Sequence, residues 1–326
     1  MEARTRHLEL LGWHFGLVGL GFFCSTADGK ISTNHTLTLK SLNLKNLLRT
    51  VSKNGEDFVK LLDISQRLGL RIFRLGSNFI PFASHESFSA SWFVELKPIL
   101  RELAQEIKCR GIRITMHPGQ FVVLNSPREE VVVNSLKELK YHFWLLDELG
   151  VDENGVVVVH TGGTYGNKEL SKATFVERVR ENPWLLERLA LENDERHFTV
   201  GDVLEISAVG LPVVFDYYHH KLNPSEFSVP ELMKTWGNRI PEFHISSEPE
   251  SPKHFGEHGN WLKVEDFVGM VGMFQGHRID VIVEAKQKEI AIERLFNELG
   301  EYFGTRPKMG GLSDERKREN SHPPQF

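Results

Sequence analysis

Cysteine is scarce in this sequence. The 326 residues include 2 cysteines, Cys24 and Cys109, which are too few and too far apart for a disulfide framework or a zinc knuckle. This scarcity fits a reducing compartment, so we expect a cytoplasmic protein that is not secreted. Apolar runs are short, and none approaches the roughly 18 residues that span a bilayer. We therefore expect no membrane partner.

Nucleotide-binding motifs are also missing. No GxGxxG sequence follows a predicted strand, and Gly162-Gly163-Thr164 lacks the Lys-Ser/Thr ending of a P-loop. We therefore expect no nucleotide cofactor. The formal net charge of −5 argues against a broad, non-specific coat of nucleic acid. With 40% hydrophobic and 25% charged residues, the composition excludes disordered, collagen-like and coiled-coil proteins.

The sequence does contain a repeated alternation of short apolar runs and segments with helical apolar spacing. The predicted strands are Gly16–Phe23, Arg71–Leu75, Ile112–Met116, Val156–Val159, Leu189–Leu191, Pro212–Phe215, Glu242–Ile245 and Asp280–Val283. The predicted helices span residues 55–69, 92–110, 128–149, 169–187, 199–209, 229–236, 264–274 and 288–303.

This alternation predicts a parallel sheet with helical crossovers. The natural closure is a single-domain TIM (β/α)₈ barrel of the α/β class, and a doubly wound open sheet is the alternative. We assign residues 1–303 to the barrel as the catalytic domain. Residues 304–326 are charged and rich in Gly and Pro, and we expect a flexible C-terminal tail.

Metal-competent side chains stand at or beside the ends of six predicted strands, and two more lie in the adjoining loops. They are His117, His160, Glu192, Asp216, His244 and Glu284, with His219 three residues after Asp216 and His85 in the loop after the second strand. In a barrel all of these positions open onto the C-terminal mouth, where active sites lie.

So many charges on one rim would repel one another and lose solvation, at a cost of several kcal/mol for each unpaired buried ion. Divalent cations remove that cost. Mixed imidazole and carboxylate ligands suit Mn²⁺, Zn²⁺, Co²⁺ or Fe²⁺. The carboxylate oxygens among the ligands are also compatible with Mg²⁺. Eight ligands exceed what one ion takes, so we expect two or three metal ions. Such a site suits an in-line displacement at phosphorus, and two-metal sugar isomerisation is the rival reaction.

At these residues the sequence resembles the UV damage endonuclease family, and the likeness runs from about residue 16 to 290. The matching segments are Arg74–Asn78, Ile80–His85, Met116–Phe121, Val159–Gly163, Leu191–Glu195, Phe215–His220, Phe243–Ser247 and Val283–Lys286. The resemblance implies a TIM barrel with metal ligands at the eight positions found from the strand ends. It also implies up to three divalent ions, with Mn²⁺ as the usual activator, and a cut immediately 5′ to a photolesion in double-stranded DNA.

The resemblance further implies contacts with DNA. Gln120 and Phe121 match a probing pair that fills the duplex where damaged bases swing out, although Phe121 is also compatible with a core position. Phe22 and Thr26 stand where family members often show a Tyr and an Asn near the lesion pocket, and Asn78 lies in a matching loop. The departures at Phe22 and Thr26 affect the range of lesions more than the nuclease chemistry. That expected range extends from cyclobutane dimers to 6-4 photoproducts and abasic sites.

Four residues are predicted to take part in the chemistry itself. Glu192 is assigned from the ligand set. Glu242 replaces a modified Lys of the family and would act as a ligand or beside the metals, or else face solvent at the rim. Lys286 is expected to neutralise a phosphate oxygen, or else to be a solvated surface side chain. His258 is a candidate phosphate contact or general acid.

Two other functions compete with a monomeric endonuclease. A metal-dependent sugar isomerase or epimerase would have a closed pocket with sugar-binding polar groups. A damage-binding protein without catalysis would use metal only to stabilise the rim, and the complete ligand set argues against it.

Overall fold

Eight parallel strands close into a barrel in the computed structural model, which describes residues 17–302. Strands β1 to β8 are Val18–Phe23, Ile72–Leu75, Arg113–Met116, Val157–His160, Leu189–Glu192, Val213–Asp216, Glu242–Ile245 and Ile279–Val283. The strand order follows the chain, and β1 pairs with β8 through Val18 and Ile279. The predicted TIM barrel is therefore confirmed. Gly16 of the first predicted strand and the predicted tail at 304–326 lie outside the described residues.

Helices fill the connections between the strands. Helices α1 to α9 are Leu44–Arg67, Trp92–Arg110, Glu129–Glu148, Lys168–Glu181, Val200–Ser207, Tyr217–Leu222, Val229–Lys234, Val264–Met273 and Lys288–Tyr302, with 3₁₀ turns at Leu39–Ser41 and Pro183–Glu187. No described helix combines the length and the apolar character needed to cross a membrane.

The first helix is longer than the sequence pattern predicts. It begins at Leu44 instead of residue 55, because the Asn43 side chain caps it by accepting a hydrogen bond from the Asn46 amide. The prediction stopped short because Thr50 to Gly55 are mostly poor helix formers. Leu47 and Val51 nevertheless continue the buried face, so packing against the barrel overrides the local propensity.

His142 is a buried neutral imidazole on α3, with no exposed surface. Its Nδ1 lies 2.8 Å from the Glu138 carbonyl oxygen, to which it donates a hydrogen bond. Burial lowers the pKa of the ring from 6.5 to about 4. The protonated form is therefore favoured in the unfolded chain, and stability present above pH 6.5 is lost as the pH falls toward 4.

We expect His142→Asn to remove this part of the acid sensitivity. From pH 7 to pH 5 the wild type should lose about 2 kcal/mol of unfolding free energy more than the variant, by linkage. Urea unfolding at the two pH values measures the difference, and the cavity left by the smaller side chain affects both equally. His277→Asn, at an exposed position, should keep the wild-type slope. An unchanged slope for His142→Asn would contradict the assignment.

Candidate active site

The barrel brings the predicted metal-binding side chains to its carboxyl-terminal mouth. All eight strands run parallel, so their carboxyl ends open on the same side. His160, Glu192 and Asp216 are the last residues of β4, β5 and β6, and His117 and Glu284 directly follow β3 and β8. The register of the strands therefore brings together, on one rim of the barrel, residues that lie more than a hundred positions apart in the sequence.

Glu192 lies at the centre of this cluster. Its Oε2 is 3.0 Å from His117 Nε2 and 3.7 Å from His160 Nε2. Its Oε1 is 2.9 Å from His244 Nδ1 and 3.5 Å from His219 Nδ1. One carboxylate thus contacts imidazoles from four different barrel segments.

Two groups of three side chains offer ligand atoms within 4.8 Å of one another, and they share Glu192. One group is His117, His160 and Glu192, and the other is Glu192, Asp216 and His244. Within the described residues, His160 Nδ1 and Asp216 Oδ2 are buried and lack a hydrogen-bond partner. An unpartnered buried carboxylate oxygen beside imidazole nitrogens is a donor set that fits a divalent cation.

The charges of the cluster stabilise one another. Burial opposes ionisation of Glu192, but the imidazoles of His244 and His160 hold the pKa of its carboxyl well below the usual range. Burial likewise disfavours charge on His244, yet Glu192 and Glu284 raise its pKa to about 10. The pKa of His219 rises to about 9 against burial, through Asp216 and Glu192. A cation that binds here must therefore displace protons from imidazole nitrogens.

Arg74 is a member of this site that the sequence argument did not single out. It is buried in β2, its Nη1 donates a hydrogen bond to Glu284, and its Nη2 lies 2.6 Å from His244 Nε2. The available signal was a lone arginine inside a short apolar strand, because a buried charge requires a partner.

Glu242 does not face solvent. It is fully buried, and its Oε1 lies 3.2 Å from both Thr115 Oγ1 and His244 Nε2. Burial disfavours its charge, but His244 and Arg113 lower the pKa of its carboxyl. The prediction that Glu242 faces solvent at the rim is therefore wrong. Glu242 instead lies directly beside His244.

His258 and Lys286 lie at the edge of the cluster. His258 Nδ1 is 3.5 Å from Glu284 Oε2, and its ring centroid is 5.8 Å from that of His219. Lys286 is exposed, and its ammonium donates a hydrogen bond to Glu257. The structure therefore brings His258 to the ligand residues, whereas Lys286 has a carboxylate partner outside them.

Two predicted site residues lie apart from the two ligand groups. His85 and Asn78 line a neighbouring cavity of about 610 Å³ that also includes Phe121. The recorded contacts of the His85 ring are with Phe82, at 5.8 Å between centroids, and with the Ser87 amide, at 3.1 Å from Nδ1. The assignment of His85 as a metal ligand stays a prediction.

The predicted probing pair forms an exposed tip on the loop after β3. The Phe121 side chain is 65% exposed, so the core alternative does not hold, and Gln120 is exposed as well. The ring folds over Gly119, where an added Cβ would lie 2.6 Å from the ring atom Cε1. A side chain at this position would therefore displace the Phe121 ring from its place over Gly119.

The first-strand residues are placed differently from the expectation. Phe22 points to the helical layer, is fully buried, and packs edge-on against Phe73 at 5.2 Å. It has no surface for a contact with DNA. Because side chains alternate along a strand, the neighbouring Phe23 points to the mouth, 4.7 Å from the Lys288 ammonium. Thr26 is buried and donates a hydrogen bond to Asp28 at 2.8 Å.

Comparison with known proteins shows the family. The model described as UV-endonuclease UvdE matches residues 14–312. This chain belongs to that family. A UV DNA damage endonuclease of Clostridium perfringens is 32% identical over 292 residues, which are 86% of this chain and 71% of that protein. One from Bacillus cereus is 30% identical over 299 residues, with 89% and 94% coverage. The resemblance found in the motifs is therefore confirmed.

Comparison with solved structures agrees with the family assignment. It also distinguishes a likeness to the family from a likeness in fold alone. The crystal structure of SacUVDE matches with a TM-score of 0.79 and 34% identity, over 87% of this chain and 99% of that one. A D-psicose 3-epimerase from Clostridium cellulolyticum has a TM-score of 0.51 and 15% identity, over 76% and 93% of the chains. The likeness to the epimerase shows the shared fold alone.

Proposed function

We propose that this chain is a cytoplasmic, monomeric endonuclease that nicks DNA immediately 5′ to UV photolesions with two to three divalent ions, Mn²⁺ above all. Family membership makes it a nuclease that acts on DNA. The lesion, the position of the cut and the metal belong to the proposal. The lesions we propose are cyclobutane dimers, 6-4 photoproducts and abasic sites.

One observation carries the proposal. A groove of about 560 Å³ is lined by His117 and His160 of the ligand cluster and also by Gln120 of the exposed tip. A phosphate at the cluster would therefore lie close to a side chain that can enter a weakened duplex. An open groove next to a loop with an exposed Phe121 suits a polymer, whereas a sugar isomerase needs a closed pocket.

The residues of the site divide the work. The eight ligand residues, among them Glu192, Asp216 and His244, would hold divalent cations, which would supply Lewis-acid stabilisation of charge at the phosphorus. Arg74 and Glu242 orient the His244 ring. Arg74 Nη2 lies 2.6 Å and Glu242 Oε1 lies 3.2 Å from His244 Nε2.

Residues at the edge of the site bind and position the DNA. His258, whose Nδ1 lies 3.5 Å from Glu284 Oε2, would transfer a proton to the leaving oxygen. Lys286 would exchange Glu257 for a phosphate oxygen, and Asn78 would contact the backbone or bases near the lesion. Gln120 and Phe121 fill the duplex when the damaged bases leave it, at a cost of a few kcal/mol that a lesion lowers.

Cleavage of a defined duplex tests this function. A labelled duplex with one cyclobutane dimer, and an undamaged copy, are incubated with protein in Mn²⁺ or EDTA, and the ends are mapped on a sequencing gel. We expect one nick directly 5′ to the dimer, with a 3′-hydroxyl and a 5′-phosphate, and none in EDTA. Equal cutting of the undamaged copy, or no cut in Mn²⁺, Mg²⁺, Co²⁺ or Zn²⁺, would contradict the proposal.

A further inference from the structure

An exposed aromatic side chain lines the groove that includes His117 and His160 of the ligand cluster. Phe255 lies on the loop after β7 and is 51% exposed. It shares the groove with His117, His160 and Gln120, whereas Phe121 faces the neighbouring cavity. An exposed aromatic ring within a groove of this size, which falls in the range of small-ligand sites, is a surface on which a planar group can stack.

A cation covers part of this ring. The Arg196 guanidinium carbon lies 5.2 Å from the Phe255 ring centroid. The Arg196 side chain is 53% exposed, and Glu195 Oε1 lies 3.3 Å from its Nε. The rest of the guanidinium remains open to solvent, so Phe255 offers a stacking surface beside donors that suit a phosphate oxygen.

The two loops that carry this pair contact each other closely. Gly256 has φ +78°, and a Cβ there would lie 2.8 Å from Glu195 Cγ, so the loops approach closely. Glu257 Oε2 accepts a hydrogen bond from the Lys253 amide at 2.6 Å. Fixed geometry lowers the entropic cost of binding.

The acidic side chains of the same loop are already engaged. Asp194 Oδ1 accepts a hydrogen bond from the Arg196 amide at 2.8 Å, and Oδ2 accepts one from the Phe198 amide at 3.1 Å. Glu195 is paired with Arg196. Arg196 is the cationic side chain that lines the groove, and its guanidinium is therefore the group there that a phosphate would contact.

We propose that Phe255 and Arg196 form a nucleotide-binding site next to the scissile phosphate. The base of an unstacked nucleotide lies on the Phe255 ring, and its phosphate contacts the Arg196 guanidinium. This inference rests on the proposed function and adds a second DNA contact to the Gln120–Phe121 tip. Base–aromatic stacking beside a cation is the usual chemistry of binding to unpaired nucleotides.

Steady-state cleavage of the dimer duplex tests the site. We expect Phe255→Ala to raise KM about tenfold to hundredfold, which is the loss of one stacked base, with kcat nearly unchanged. Phe255→Trp should restore the wild-type KM, since an indole also stacks. Arg196→Gln should lower the salt dependence of binding by roughly one phosphate contact. Fluorescence anisotropy in EDTA, where the duplex is not cleaved, should rank the wild type and the Phe255 variants in the same order by their affinity for the dimer duplex.

A similar pair elsewhere provides the control. Trp184 lies on the 3₁₀ turn before β5, at the end of the barrel opposite to the mouth, and its ring centroid is 5.6 Å from the Lys140 ammonium. Trp184→Ala should leave KM unchanged, and an equal rise in both variants would overturn the inference. If the wild type nicks the dimer and Phe255→Ala keeps its KM, this inference alone fails. If the wild type neither binds nor nicks damaged duplex, the proposed function fails first.

Discussion

Glu192→Gln is expected to reduce nicking of the dimer duplex about thousandfold or more, because several kcal/mol of charge stabilisation depend on the metal site. The Glu192 carboxylate belongs to both ligand groups and contacts His117 at 3.0 Å and His244 at 2.9 Å. The amide keeps the shape of the side chain but removes the negative charge. Single-turnover cleavage with saturating Mn²⁺ measures the effect on the chemical step.

Glu187→Gln is the matched control for this substitution. Glu187 is exposed and precedes β5, at the end of the strand opposite to the mouth. It should retain wild-type activity. Circular dichroism of both variants tests whether the barrel is intact, since Glu192 is buried. Activity of folded Glu192→Gln within tenfold of wild type would show that the cluster is not the catalytic centre.

Arg74→Met is expected to lower the unfolding free energy of the metal-free protein by about 3–5 kcal/mol, the cost of breaking a buried ion pair from one side. Arg74 and Glu284 have side chains that are 6% and 10% exposed. Burial works against the charge of the Glu284 carboxyl, and Arg74 and His244 hold its pKa far below the usual range. Without Arg74 the Glu284 carboxylate loses its largest counter-charge while it remains beside Glu192. Urea unfolding in EDTA measures the loss.

Two further variants test the cause. Arg74→Met combined with Glu284→Gln should recover part of the loss, because the charge left without a partner is gone. Arg110→Met removes an arginine whose partners Asp63 and Glu106 are 53% and 42% exposed, and it should cost about 1 kcal/mol or less. A loss below that level for Arg74→Met, or no recovery in the double variant, would argue that Arg74 does not compensate Glu284.

Both predictions concern a site that is unfavourable to assemble. Folding brings Glu192, Glu242 and Glu284 into a buried cluster, and the chain offsets their charges with Arg74 and protonated imidazoles. The carboxylates and imidazoles of this cluster also bind divalent cations strongly once the protons on the imidazoles are displaced. The pattern agrees with the general observation that perturbed pKa values concentrate at functional sites.

Sequence analysis alone determined the fold and most of the rim. Strands of a buried parallel sheet are short apolar runs, so their number and order could be read directly, as could the polar residues that end them. The boundary of α1 was wrong because local propensity over Thr50 to Gly55 was outweighed by packing of Leu47 and Val51. Helix α6 was not predicted, because its sequence YYHHKL shows no helical apolar spacing.

The tertiary structure decided which side chains meet and which way they point. The position of Phe22 depends on strand alternation, and a shift of one residue moves a side chain from the mouth to the helical layer. Arg74, Glu242 and His258 acquire their roles from contacts between different strand ends and loops: Arg74 with Glu284, Glu242 with Thr115, and His258 with Glu284. A sequence specifies the residue types at the strand ends, but distances across a barrel mouth are set by closure of the sheet and by packing, which involve the whole chain at once.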